Sequence, residues 1–96
     1  MTKERKTEIQ MGIISHLLAG WTKKVSARDD IGRSCNPESP KASQWCLYGA
    51  VQCVVADYRE GELIWNEICD SNTDCPSLIN DNAKDVNEVI ALVESL

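Results

Sequence analysis

The spacing of apolar residues in the first twenty positions predicts an amphipathic helix. Its apolar positions recur at i, i+3, i+4 and i+7: Ile14, Leu17, Leu18 and Trp21. That period places all four on one helical face. Thr7 and Gln10 have the spacing of a capping box, and Gly20 is suited to ending the helix. We therefore expect the first helix to cover residues from about 7 to 19.

The helical period stops after this segment. Val25 and Ala27 alternate with polar neighbours, which is the period of a strand, and residues 29–32 (Asp-Asp-Ile-Gly) have the composition of a turn. Pro37 disfavours helix at the residue before it. The pattern predicts a short β-hairpin or an ordered loop over about residues 23–35.

The next stretch predicts a central helix over about residues 40–57. Ser39 followed by Pro40 has the sequence of an N-cap and a first-turn proline. Apolar residues then surround the whole helix, as expected for a buried one. Gly49 inside a helix costs about 1 kcal/mol relative to alanine, so it indicates that a neighbouring backbone or ring passes very close. The residues expected to pack the core here are Trp45, Cys46, Gly49 and Ala50.

The rest of the chain predicts one clear helix. Residues 59–62 have the composition of a turn, and residues 63–68 are too few to distinguish helix from strand by period, although we favour a short helix. Residues 69–82 are rich in Ser, Asn and Asp and predict an irregular loop. A final apolar stripe predicts the closing helix: Val86, Val89, Ile90 and Val93. The expected fold is mainly α, a small single domain over residues 1–96 with three to four helices around the central one.

Composition and charge limit the class of protein and the kind of partner to be expected. The 96 residues are 43% hydrophobic and 26% charged, which is typical of a globular domain. Of the net charge of -5, residues 1–33 carry +3 and residues 34–96 carry -8. An acidic surface repels phosphate backbones, so we expect a basic protein surface rather than nucleic acid as the partner. No apolar run has the roughly 20 residues that a membrane span needs, and we expect a cytoplasmic protein. A domain this small also suits a homodimer.

The candidate chemistry is sparse. The five cysteines include no C-x-x-C pair, so no metal site or cofactor is expected, and the odd number suits reduced thiols. His16 is the single histidine, and Cys46 with His16 is therefore the one pair with the residue types for thiol catalysis. Because Cys46 is predicted to lie about two turns inside a helix, where the helix dipole has faded, we expect no enzyme activity.

The chain has three tryptophans and no phenylalanine, which indicates that large aromatic side chains are needed at specific positions, in the core or at an interface. Trp21 lies beside several basic residues, a combination that is enriched at protein interfaces. The residues predicted to contact a partner are Trp21, Lys23, Arg28, Asp29 and Arg33.

Several short motifs resemble a family. In chain order they are Trp21-Thr22-Lys23-Lys24, Ala27-Arg28-Asp29, Gly32-Arg33, Trp45-Cys46-Leu47 with Gly49-Ala50, Asn80-Asp81 and residues 88–92. Together they resemble a small family of bacteria and their phages to which no activity is assigned. The resemblance implies a compact helical domain with a short Ala-Arg-Asp hairpin. Ile79 departs from the family pattern, which has tryptophan before Asn-Asp.

Three hypotheses for the function follow. The first is a phage- or mobile-element-type accessory protein that binds a host macromolecule, such as a component of a defence system, and inhibits it. Its expected mark is an exposed aromatic or apolar patch rimmed by acidic residues. The second is a ligand-binding domain or thiol-dependent enzyme in which Arg28 and Asp29 hold a ligand above Cys46. The third is a homodimeric structural domain.

Overall fold

The structure, a computed structural model, describes residues 2–55, 57–70 and 75–96. Within these ranges the chain forms five helices and one two-stranded antiparallel sheet, which confirms the mainly α fold class. The elements are α1 (Lys3–Ala19), β1 (Ala27–Asp29), β2 (Ala42–Trp45), α2 (Leu47–Val54), α3 (Tyr58–Asp70), α4 (Pro76–Asn82) and α5 (Val86–Glu94).

Helix α1 begins earlier than the capping-box spacing predicts. Thr2 Oγ1 accepts a hydrogen bond of 3.1 Å from the backbone N–H of Arg5, so Thr2 is the N-cap. Thr7, the predicted cap, lies inside the helix, where its hydroxyl donates to the carbonyl of Lys3. The C-terminal end at Ala19 agrees with the prediction. The buried face is centred on Ile9, Ile13 and Leu17.

The predicted helix over residues 40–57 is wrong in its first half. Residues 42–45 form strand β2, and α2 begins only at Leu47. The backbone of Trp45 explains this, because its N–H donates to the carbonyl of Gly20 at 2.9 Å and its carbonyl accepts from Thr22 N–H at 3.1 Å. Those bonds to the preceding segment are incompatible with helix. Ser39 caps a turn instead, with its hydroxyl accepting from Lys41 N–H.

The sheet is formed by partners that are farther apart than the predicted hairpin. β1 pairs with β2, in the register Ala27 with Trp45 and Arg28 with Gln44. Inside the predicted range of 23–35, a single bridge joins Arg28 to Ser34. The second strand therefore comes from the segment that was assigned to the central helix.

Two further predictions are wrong in the C-terminal half. Residues 59–62 continue α3 rather than forming a turn, because Ile64 and Ile68 bury one face of that helix and Glu60 is held by Arg5. Residues 76–82 form α4, with Pro76 in its first turn, where a loop was predicted. Residues 71–74 of that predicted loop lie outside the described residues. The closing helix α5 is as predicted, with Asp85 as its N-cap.

The core lies where α1 packs against α2 and α5, and α3 packs against α2. Its largest fully buried side chains come from all these helices: Ile9, Ile13, Leu17, Leu47, Ile64, Ile68, Val89 and Val93. Gln10 donates to the carbonyl of Val93 at 2.8 Å and so joins α1 to α5. None of the described helices combines the length and the apolar character that crossing a membrane requires.

Candidate functional site

Asn80 in α4 joins three segments that are distant along the chain. Its side chain is 1% exposed. The amide oxygen accepts from the indole N–H of Trp21 at 2.9 Å and from the backbone N–H of Leu47 at 3.1 Å, and the amide nitrogen donates to the carbonyl of Thr22 at 3.2 Å. We call these four residues the Asn80 junction. It fixes the start of α2 against α4 and the segment before β1.

Two of the predicted contact residues belong to this region. Trp21 is half-buried and uses its indole N–H on Asn80. The ammonium of Lys23 lies 5.2 Å from the Trp21 ring centroid and donates to the carbonyl of Ala83. Both side chains thus connect parts of the fold. Contact of either one with a partner stays a prediction.

Asp29 is held by its own loop. It is 7% exposed, and its carboxylate accepts backbone N–H bonds from Arg33 at 2.9 Å and Ile31 at 3.1 Å. The Arg33 guanidinium adds a contact of 3.3 Å. The backbone hydrogen bond from Arg33, more than any other contact, holds the pKa of Asp29 below its ordinary value. The carboxylate is therefore an acceptor for the turn that follows β1.

Arg28 also turns back on this loop. Its Nε donates to Thr22 Oγ1 at 2.8 Å and its Nη1 to the carbonyl of Gly32 at 2.9 Å. Gly32 has a φ of 86°, in the left-handed region that favours glycine, so the turn depends on it. Arg28, Asp29 and Arg33 are thus brought together, but their contacts are with Thr22 and with the turn that follows β1.

The sequence predicted that Cys46 lies inside a helix, and this is wrong. Cys46 is the N-cap of α2. Its Sγ accepts from the backbone N–H of Gly49 at 3.4 Å. Burial raises the pKa of this thiol in spite of that hydrogen bond, so it is protonated at neutral pH. His16, the candidate base, has its ring edge-on to Trp45 at 5.0 Å, with Nδ1 3.1 Å from the carbonyl of Gly12.

Residues 45–50 pack as a unit against the segment before β1. Gly49 and Ala50 are buried, whereas Trp45 and Cys46 are half-buried. A Cβ added at Gly49 would lie 2.0 Å from the carbonyl oxygen of Ser26. This carbonyl, which also accepts from the N–H of Cys46 at 3.1 Å, is the close neighbour that a glycine within a helix indicates.

A small cavity of about 210 Å³ lies beside Cys46. Its walls include Lys24, Cys46, Asn80 and Asp81. Arg28 and Asp29 are not among the residues that line it. This cavity therefore does not bring Cys46 together with Arg28 and Asp29, which the ligand-binding hypothesis combines.

A larger cavity of about 430 Å³ lies between α2 and α3. We call it the α2–α3 groove, and it is lined by Glu38, Tyr48, Val51, Gln52, Val55, Asp57, Tyr58, Gly61, Glu62, Trp65 and Asn66. The rings of Tyr48 and Trp65 meet nearly perpendicularly, with centroids 5.2 Å apart and an interplanar angle of 84°. Tyr58 at the groove is 82% exposed. None of these residues was predicted to be a contact residue.

The tryptophans show why this groove differs from the rest of the surface. The indole N–H of Trp21 donates to Asn80, and that of Trp45 donates to the carbonyl of Pro37 at 3.0 Å. The N–H of Trp65 has no hydrogen-bond acceptor among the described residues. Buried Trp N–H groups usually have partners, so a free one at a groove is available to a ligand. The sequence could not separate the three, because the acceptors are remote along the chain.

The carboxylates at the groove are uncompensated. Glu38, Asp57 and Glu62 form no ion pair with the residues that the structure describes, and the groove lining includes no Lys or Arg. Two of the three Lys and Arg residues of α1 are used elsewhere, since Arg5 pairs with Glu60 and Lys6 with Glu67. Negative charge at the groove is therefore free to meet a cation from outside.

The elements that carry the groove residues are fixed by contacts with the rest of the fold. Helix α3 is fixed by the buried side chains of Ile64 and Ile68, and by the bidentate contact of Arg5 with Glu60 at 2.9 and 3.0 Å. Glu38 follows Pro37, whose carbonyl accepts from Trp45 and also from the thiol of Cys53 at 2.9 Å. The groove is thus a preformed feature of the fold.

Within the described residues, no cluster of three or more His, Cys, Asp and Glu side chains could hold a metal ion. The five cysteines are free thiols. Comparison with family models, with curated proteins and with solved structures finds no match to this chain.

Proposed function

We propose that the protein is a small acidic interaction protein that binds a basic segment of another protein in the α2–α3 groove. The observation that carries the proposal is the combination of exposed aromatic rings with three carboxylates that have no cation within the described part of the chain. An aromatic patch with acidic residues at its rim is a feature of surfaces that bind other proteins, and it supports the proposal.

The two kinds of group have different roles in such a complex. Tyr and Trp rings supply large contact areas and are over-represented among the residues that dominate binding energy. Carboxylates at the rim contribute less affinity, but they attract a partner of opposite charge and reject one of the same charge. The charge of -8 on residues 34–96, which include the whole groove, extends that attraction beyond the rim.

The choice of partner rests on the sequence resemblance. Because the motifs resemble a family of bacteria and their phages, we propose a host protein as the partner, with components of defence systems as the first to test. A partner that works on DNA or RNA often carries basic surface, and an acidic protein that covers such a surface would inhibit it.

The test uses defined peptides before any host protein. A set of short peptides of positive net charge and a matched set of negative net charge are titrated against the labelled protein by fluorescence anisotropy. We expect saturable binding of the positive set alone, and weaker binding as salt rises, because exposed charges are screened.

Matched variants test whether the peptides bind at the α2–α3 groove. The double variant Glu38→Gln/Glu62→Gln removes two rim charges and should weaken binding about fivefold, since each exposed ion pair contributes about 0.2–1 kcal/mol. Glu94→Gln, on the exposed end of α5, is the control and should bind like the unmodified protein. Absence of saturable binding by every positive peptide would refute the proposal. A dimer in sedimentation velocity that the double variant dissociates would instead identify a second copy as the occupant.

A further inference from the structure

The corner where Tyr48 meets Trp65 is the most specific part of the α2–α3 groove. Tyr48 comes from the first turn of α2 and is 44% exposed, and Trp65 comes from the middle of α3 and is half-buried. Their perpendicular rings, 5.2 Å apart, form two adjoining walls. Such walls attract cations because the face of an aromatic ring is negative.

Helix α3 places a carboxylate beside this corner. Tyr58, Gly61, Glu62 and Trp65 are spaced by three and one and three residues, which puts all of them on one face of the helix. Glu62, one turn before Trp65, lies next to the indole along that face. Asp57 and Glu38 add carboxylates at other points of the lining. A cation stacked on a ring in this corner therefore has acceptors within the same groove.

Gly61 leaves space at this point. A Cβ added there would meet one atom of another residue, Val55 Cγ1, at the ordinary contact distance of 3.8 Å. The backbone of α3 is thus bare between Tyr58 and Trp65, and a flat group can approach it. An alanine at position 61 would therefore add a methyl group at the groove without displacing a neighbour.

From this arrangement we infer that the α2–α3 groove binds an arginine side chain of the partner, with the guanidinium stacked in the Tyr48–Trp65 corner and its N–H groups directed to the carboxylates. The inference rests on the proposed function and specifies its ligand. A guanidinium is planar, is weakly hydrated and presents several donors in fixed directions, so it can stack and donate at the same time. A lysine ammonium is compact and strongly hydrated, and it would lose more water for fewer contacts.

A methylated ammonium is the other cation that aromatic walls accept. It has no N–H donors when fully methylated, so it would donate no hydrogen bond to the carboxylates of Glu62, Asp57 or Glu38. The groove is rich in such acceptors, which favours the guanidinium. The two cations make different demands, so they can be separated by experiment.

The experiment compares four peptides that differ at one central position, which is Arg, Lys, trimethyl-lysine or citrulline. We expect the Arg peptide to bind about fivefold more tightly than the Lys peptide and about tenfold or more than the citrulline peptide, which has the shape of arginine without its charge. Equal or tighter binding of Lys or trimethyl-lysine would overturn the inference while leaving the proposed function intact. Failure of all the cationic peptides to bind would refute both.

Nuclear magnetic resonance of the three indole N–H groups locates the contact. The Trp65 signal is assigned by its loss in Trp65→Phe, and it should shift on addition of the Arg peptide, because this N–H has no acceptor among the described residues. The signals of Trp21 and Trp45, whose N–H groups are already donated within the protein, should stay in place. A shift of the Trp21 signal alone would place the arginine elsewhere and contradict the inference.

Discussion

The Asn80 junction and the α2–α3 groove both combine a tryptophan with polar side chains, but they use them in opposite ways. At the junction, the Trp21 indole N–H and both ends of the Asn80 amide bond to groups within the protein. At the groove, the N–H of Trp65 and the carboxylate of Glu62 have no such partners within the described residues. Polar groups that are satisfied internally stabilise the fold, whereas accessible groups without partners leave binding capacity at the surface.

The largest effect should come from breaking the junction. Asn80→Ala leaves the indole N–H of Trp21, the N–H of Leu47 and the carbonyl of Thr22 without their partner in a buried place. Each unsatisfied buried group costs about 1–3 kcal/mol, so we expect a loss of about 3 kcal/mol or more in the free energy of unfolding. Denaturation in urea, followed by circular dichroism, measures it.

Asn66→Ala is the matched control for this change. Asn66 lies in the groove lining and is exposed, so its removal should alter stability by no more than about 0.5 kcal/mol. Equal losses in the two variants would mean that the junction and the groove do not differ as described.

Substituting two helical glycines by alanine should change the free energy of unfolding by intermediate amounts, with a loss at Gly49 and a gain at Gly61. Gly49→Ala would bring a Cβ within 2.0 Å of the carbonyl oxygen of Ser26, so the backbone must move, and we expect a loss of about 1–3 kcal/mol. Gly61→Ala meets nothing closer than 3.8 Å and should stabilise α3 by about 0.5–1 kcal/mol. Thermal unfolding of both variants should show melting temperatures on opposite sides of the unmodified protein. A lower melting temperature for Gly61→Ala would contradict the open space at that position.

The smallest expected effect is on the pH dependence of stability, through the carboxylate of Asp29, which is hydrogen-bonded within its own loop. Hydrogen bonds from the loop hold the pKa of Asp29 below its ordinary value, so its contribution to stability is present above the unfolded-state pKa of about 4 and is lost as pH falls through the folded-state pKa. Asp29→Asn should therefore be less stable than the unmodified protein at neutral pH, with a difference that shrinks as the pH drops below about 4.

Glu62→Gln is the counterpart in the groove. It removes a carboxylate that bonds to nothing within the described ranges, and stability at neutral pH should change by no more than about 0.5 kcal/mol. Urea denaturation of both variants across a pH series is the measurement. A difference for Asp29→Asn that stays constant down to the lowest pH would show that its loop does not depend on the charge.

The mainly helical class, the end of α1 and the whole of α5 could be predicted because local signals and the final packing agree there. Val86, Val89, Ile90 and Val93 follow Asp85, which is a good N-cap, and the structure uses them in that way. The strand at residues 42–45 could not be predicted. Ser39 and Pro40 resemble a helix start, but the backbone of Trp45 pairs with residues more than twenty positions earlier, and this tertiary pairing prevails over local preference.

The start of α2 was missed for a related reason. Cys46 is the N-cap, although cysteine is not among the residues that usually cap helices, and the apolar pattern continues through it without a break. The turn predicted at residues 59–62 was wrong because Glu60 gains a partner, Arg5, that lies 55 positions away. Neither effect leaves a signal in a window of neighbouring residues.

Some features of the α2–α3 groove could be predicted from the sequence. Three tryptophans and an excess of acidic residues after position 33 indicate an interface, and the structure holds an acidic aromatic groove. Trp21 was chosen as a contact residue because of its basic neighbours. The ammonium of one of these, Lys23, donates to the carbonyl of Ala83 within the protein. Which tryptophan is free depends on where acceptors such as Asn80 and Pro37 lie in space.

If the α2–α3 groove binds a partner as proposed, the bare backbone at Gly61 on one face of α3 would let the binding surface evolve separately from the fold. The residues that shape this face are neighbours on a single helix, so a few substitutions there could exchange one partner for another. The junction, by contrast, depends on residues 59 positions apart that must be kept together. Variation in a population of such proteins could therefore accumulate along α3 while the scaffold stays constant, and a combinatorial library at positions 58, 61, 62 and 65 would exploit the same division.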